Sequence, residues 1–148
     1  MKHYLTAILF FTFFCNLLEG QSKMSPEEIL GFSCGFGGAE TEVVKKTSSL
    51  LAKNDFNSII TLVDSNNNAN LFLAIIIVEK LNNLKKIEIS EELNQKILAA
   101  YNSNKMVAVC SGCTYWDFVS LKTLLDRNNT HHMKESTDIW LDKILNGE

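Results

Sequence analysis

NLFLAIIIVEKLNNLKK, residues 70–86, is the most apolar run beyond the N-terminal leader, and the architecture of the rest follows from how it is read. A globular chain must bury such a segment. Ile75, Ile76, Ile77 and Val78 are β-branched, which locally suits a buried strand. The length of the run and the flanking Leu71, Leu81 and Leu84 favour a buried helix instead.

The neighbouring segments look built to cover it. Upstream, residues 39–53 place Val43, Val44, Leu50 and Leu51 at helical spacing, and Asn54-Asp55 breaks that helix and caps a second over 56–64. Downstream, Ser90-Glu91-Glu92 opens a helix whose apolar positions are Leu93, Ile97, Leu98, Ala100 and Tyr101. Residues 106–126 follow a helical pattern, weakened in the middle by Gly112. Residues 127–134 are a polar linker, and Ser136-Thr137-Asp138 caps a last helix docked by Trp140. Near the start, Ser25-Pro26-Glu27-Glu28 opens a short helix, ended by Gly31, Gly35, Gly37 and Gly38. The expected fold is therefore all-α: five to seven helices in stacked antiparallel hairpins, a short solenoid or irregular bundle.

A shift of 37 residues brings two stretches into register. Phe56 falls on Leu93 and Ile60 on Ile97. Phe72 falls on Val109, Leu81 on Phe118 and Leu84 on Leu121. Each unit reads as a short amphipathic helix, a polar turn and a longer apolar helix, and such units stack because neither buries its apolar face alone. Over residues 39–126 this pattern resembles the HEAT-like family of α-helical hairpin repeats. The resemblance implies a curved helical stack with a binding face, and it carries no catalytic residue.

The first 20 residues, MKHYLTAILFFTFFCNLLEG, have a short basic start, an apolar core and a small residue at Gly20, the layout of a secretory signal peptide. The apolar core of about 15 residues is short for a membrane span. Cleavage is expected after Gly20, leaving 21–148 as one α-helical domain, exported to the periplasm or secreted, with no stable membrane insertion. A chain of 148 residues is enough for a single core. The net charge of −3 and scattered lysines argue against nucleic-acid binding.

Three cysteines remain after the leader: Cys34, Cys110 and Cys113. In an oxidising compartment the expectation is a disulfide from Cys34 to Cys110 or Cys113, pinning the Gly-rich stretch GFSCGFGG to the second hairpin. That stretch lacks the Gly-Lys-Ser/Thr ending of a phosphate loop. The 37-residue register sets Cys110 and Cys113 on Leu73 and Ile76, which makes both cysteines inward-facing packing positions. The sharper reading is a metal site, with Cys110, Cys113, His131 and His132 as thiolate and imidazole ligands for zinc, or for cuprous copper with Met133. A thiol-exchange enzyme would need a βαβ pattern around CSGC, which is missing.

No serine elbow, cofactor pattern or paired-carboxylate site emerges. Glu27-Glu28 and Glu91-Glu92 are sequence neighbours at helix starts, about 100° apart on a helix. Asn128-Asn129-Thr130 is a glycosylation sequon, which matters only in a eukaryote. Tyr115, Trp116 and Phe118 form the densest aromatic cluster. The functional expectation is a non-enzymatic interaction module without a cofactor, stapled by a disulfide, whose protein or peptide partner contacts the Tyr115–Phe118 region. The alternative is an exported metal-binding protein.

Overall fold

The computed structural model describes residues 25, 28–128 and 130–147. The expected leader and its cleavage site lie outside them, as do Pro26 and Glu27. The elements run β1 (Ile29–Leu30), α1 (Glu42–Ala52), α2 (Phe56–Thr61), a 3-10 turn (Leu62–Asp64), α3 (Asn68–Asn83), α4 (Glu91–Tyr101), β2 (Met106–Ser111), β3 (Tyr115–Ser120), α5 (Leu121–Leu125) and α6 (Met133–Asn146).

Asn67 starts the central helix. Its side-chain oxygen accepts from the amides of Ala69 (3.0 Å) and Asn70 (3.2 Å), two of the donors a helix start leaves unpaired. Ten of the sixteen residues of α3 are buried, including the whole run from Leu71 to Val78. A helix apolar on nearly every side must be surrounded, and α3 packs against α1, α2, α5, α6 and β2. It ends at Asn83, with Lys85 in the left-handed region at φ 57°. The helices expected over 39–53, 56–64 and 91–101 form as α1, α2 with its 3-10 extension, and α4.

The all-α, stacked-hairpin architecture does not hold. Among the described residues six α-helices accompany a three-stranded mixed sheet in the order β1-β2-β3. β1 pairs parallel with β2, and β2 pairs antiparallel with β3. The stretch 106–120, expected to be helical, is a β-hairpin closed by residues 112–114, with Gly112 at φ 60°. The reason lies in burial. Val107, Ala108, Val109 and Cys110 are all buried, so β2 reads as an unbroken apolar run without strand alternation. The 37-residue shift thus lays part of a helix over a pair of strands. Ile29-Leu30, expected within a short helix, is the parallel edge strand, paired to Ala108 and Val109. The expected linker 127–134 also ends early: His132, at φ 49°, precedes α6, which begins at Met133.

Strand pairing divides the sheet into two faces. Leu30, Val107, Val109 and Val119 join the main core with α3 and the other helices. Ile29, Ala108 and Cys110 form a second cluster on the opposite, outer face, with Cys34 packed against it. No helix residue belongs to that outer cluster among the described residues. Trp140 docks α6 against Phe32, with ring centroids 5.4 Å apart.

Candidate functional site

The outer face is built around the hairpin. Its cross-strand rows are Met106–Ser120, Ala108–Phe118 and Cys110–Trp116. Alternation sends these side chains to one side, away from the helices. Ala108 and Cys110 are buried, while Met106 (50%), Trp116 (54%) and Phe118 (59%) keep about half their surface in water. None of the six residues in these rows is titratable.

Cys34 and Cys110 form a disulfide, with Cα atoms 5.7 Å apart. It joins the segment after β1 to the middle strand. Gly31 sits against it: a Cβ there would collide with Cys34 Sγ and lie 2.6 Å from Cys110 Sγ and 2.7 Å from the Cys110 carbonyl oxygen. The glycine is needed for close approach, not for its backbone angle. Beyond Cys34 the Gly-rich stretch is a closed loop. The amides of Cys34 and Ala39 donate to each other's carbonyls at 2.8 and 3.0 Å. The Gly35 amide donates to Gly112 O (2.8 Å), and the Gly112 amide to Ser33 O (2.7 Å), tying this loop to the hairpin turn. Phe36, on the loop between Gly35 and Gly38, is 98% exposed. Thr41 closes the return, its amide and hydroxyl both donating to Gly31 O at 3.0 and 3.2 Å.

The aromatic cluster is therefore split. Trp116 and Phe118 share the outer face, while Tyr115 alternates to the other side. The Tyr115 hydroxyl lies 2.9 Å from His131 Nδ1 and donates to Asp117 Oδ2 at 3.3 Å. Partial burial, with the Asp117 carboxylate beside it, pushes the Tyr115 phenol pKa up. Asp117 also guards the free edge of β3, its Oδ1 accepting from the Phe118 amide at 2.7 Å. A charge on an edge strand discourages unplanned strand addition.

The four residues expected as metal ligands are not brought together. Cys110 gives its sulfur to the disulfide and has no thiolate to offer. Cys113 is a free, exposed thiol in the hairpin turn, 3.9 Å from Gly35 O. His131 meets Tyr115, and His132 meets Glu135 at 3.3 Å. Among the described residues, no group of three or more His, Cys, Asp or Glu side chains is placed to hold an ion.

A second polar feature, absent from the sequence reading, lies across the helices. Lys134, 5% exposed, donates to the Tyr101 hydroxyl at 2.7 Å. Tyr101 in turn donates to the Glu79 carboxylate, 2.9 Å from each oxygen, and Lys134 pairs with Glu79 at 3.6 Å. Burial, and then Glu79, push the Tyr101 phenol pKa far up. The network joins α3, α4 and α6 and satisfies the buried ammonium. Lys134 is the one buried charged residue among those described. Its sequence neighbours, His132, Met133, Glu135 and Ser136, are mostly polar, so no local pattern marks it as buried.

These features define an α+β fold with helices on one face of a small sheet and, among the described residues, an uncovered aromatic patch on the other. No protein-family model, curated protein or solved structure matches the chain. Among the described residues, no helix is long and apolar enough to cross a membrane.

Proposed function

We propose that the protein is an exported, non-enzymatic interaction module that binds a protein or peptide through the outer face of its sheet. One observation carries this: Trp116 and Phe118 stand side by side on a face that no helix covers among the described residues, each with more than half its surface in water. Large aromatics on a fixed strand are the usual anchors of protein interfaces, because they bury much area at little entropic cost. The Cys34–Cys110 disulfide supports export, since such bonds persist in oxidising compartments, and it holds the loop bearing Phe36 against the same sheet. Tyr115, turned to the other side of β3, flanks the contact at the rim.

A photo-crosslinking residue in place of Phe118 tests the reading in the compartment to which the protein is exported. Irradiation should give a discrete adduct from position 118 and none from Ile139, an exposed apolar residue of α6 away from the sheet. Absence of any adduct at position 118, with the variant folded and exported, would overturn it.

A further inference from the structure

We propose, resting on the interaction reading above, that the occupant of this face is a second copy of the chain, packed sheet to sheet about a two-fold axis. Charge is the first reason. An isologous contact brings the same patch against itself, so any charge in it meets a like charge. The rows Met106–Ser120, Ala108–Phe118 and Cys110–Trp116 hold no titratable group, and neither does the loop from Gly35 to Gly38. The face is self-compatible.

Area is the second reason. At ~150–250 Å² per aromatic side chain, the exposed parts of Trp116 and Phe118 come with Met106 to about 350 Å² per protomer, and closing the adjoining loop onto the partner would add Phe36, for about 500 Å². Two copies would bury about 1,000 Å², and with the Ser and Gly rim this reaches the lower end of specific interfaces, about 1,200 Å². A patch of that size is also at the upper end of what a monomer leaves exposed.

The free edge of β3 provides the third reason, by selecting the mode. A two-fold strand pairing centred on Asp117 would set two carboxylates opposite each other and take Asp117 from the Phe118 amide. Face-to-face packing leaves Asp117 at the rim, where its present hydrogen bond survives. Sheets packed in this way sit about 10 Å apart with interdigitating side chains, which Trp116 and Phe118 would provide.

Sedimentation velocity on the exported protein tests this, in a Cys113→Ser background so that no covalent link through the exposed thiol is counted. A reversible dimer should form between about 1 and 500 μM, as the small interface requires. Trp116→Glu and Phe118→Glu should each weaken it about 30-fold or more, while Ile139→Glu should leave it unchanged. Circular dichroism checks that each variant is folded, and Phe118→Ser replaces any that is not. A monomer at every concentration would overturn the dimer, as would a dimer indifferent to Trp116→Glu and Phe118→Glu. Either result leaves the broader reading to the crosslink at position 118, where an adduct of twice the protein mass supports self-association and a different mass assigns the face to another partner.

Discussion

Replacing Cys34 and Cys110 together by alanine should cost most of what holds β1 to the sheet. β1 has only two residues, and its pairing alone is a weak attachment. The bond closes a loop between residues 76 apart, which in the chain-entropy account stabilises the fold by about 4.5 kcal/mol, less any residual structure in the unfolded chain. Alanine is the better replacement because a serine at the 1%-exposed position 110 would add a buried hydroxyl without a partner. The expected loss is therefore about 3–4 kcal/mol, or roughly 10 °C in Tm for a chain of this length. Urea unfolding measures it. The midpoint should fall and the m-value rise, because the unfolded chain loses a cross-link and exposes more surface. Cys113→Ala, changing only an exposed thiol, should stay within about 0.5 kcal/mol of the parent. A loss below about 1 kcal/mol with an unchanged m-value would refute the idea that this bond is a structural staple.

Gly31→Ala should destabilise by about 1–3 kcal/mol through collision with the disulfide sulfurs and the Cys110 carbonyl, and only the sulfur share of that cost should vanish in the alanine double variant, the carbonyl contact remaining; an equal cost in both backgrounds would place the strain at the backbone alone. Tyr101→Phe leaves the buried Lys134 without its closest acceptor and should cost about 1–3 kcal/mol near neutral pH, read by urea unfolding. The folded-state phenol pKa of Tyr101 is raised above the unfolded value of about 10, so its contribution is complete below that pH and falls as pH rises beyond it, by up to about 1.4 kcal/mol per unit. The parent should lose stability faster than Tyr101→Phe between about pH 9.5 and 11, and parallel curves would contradict this. Asn67→Ala removes an acceptor shared by two amides at the start of α3 and should cost about 1 kcal/mol, with faster hydrogen exchange at Ala69 and Asn70.

The helices α2 and α4 were legible where a polar cap met a periodic face, whereas the expected Ser136-Thr137-Asp138 cap lies inside α6, which starts after His132. Asp55 accepts from Ser58 N and Ser90 from Leu93 N, as those residue types at those places imply. The sheet was not legible, for a different reason at each strand. β2 is buried on both faces and shows no alternation. β3 is an edge strand, with Tyr115 through Phe118 all exposed, so no buried period marks it either. β1 is two residues long, held by its neighbour and the disulfide more than by its own propensity. Gly112 was the local signal: weak evidence against a helix, but the left-handed residue a tight hairpin needs.

The change from helix to hairpin also decides which site residues come together. On a helix, Cys110 and Cys113 would share a face, as would Tyr115 and Phe118. On a hairpin, Cys110 lies in the strand under the outer face while Cys113 falls in the turn. Tyr115 leaves the cluster for His131, and Met106, opposite Ser120 and diagonal to Phe118, joins the outer face. Phe36 gave no signal, because its position depends on a loop closed by Cys34 and Ala39 and tied to Gly112. The staple and the patch are consequently one construction. Cys110 and Trp116 are cross-strand neighbours, and the sulfur bound to Cys110 carries the loop that presents Phe36. Reduction of the bond therefore acts on the exposed aromatic face as well as on β1, so a surface that functions through this patch functions best where the bond is kept oxidised.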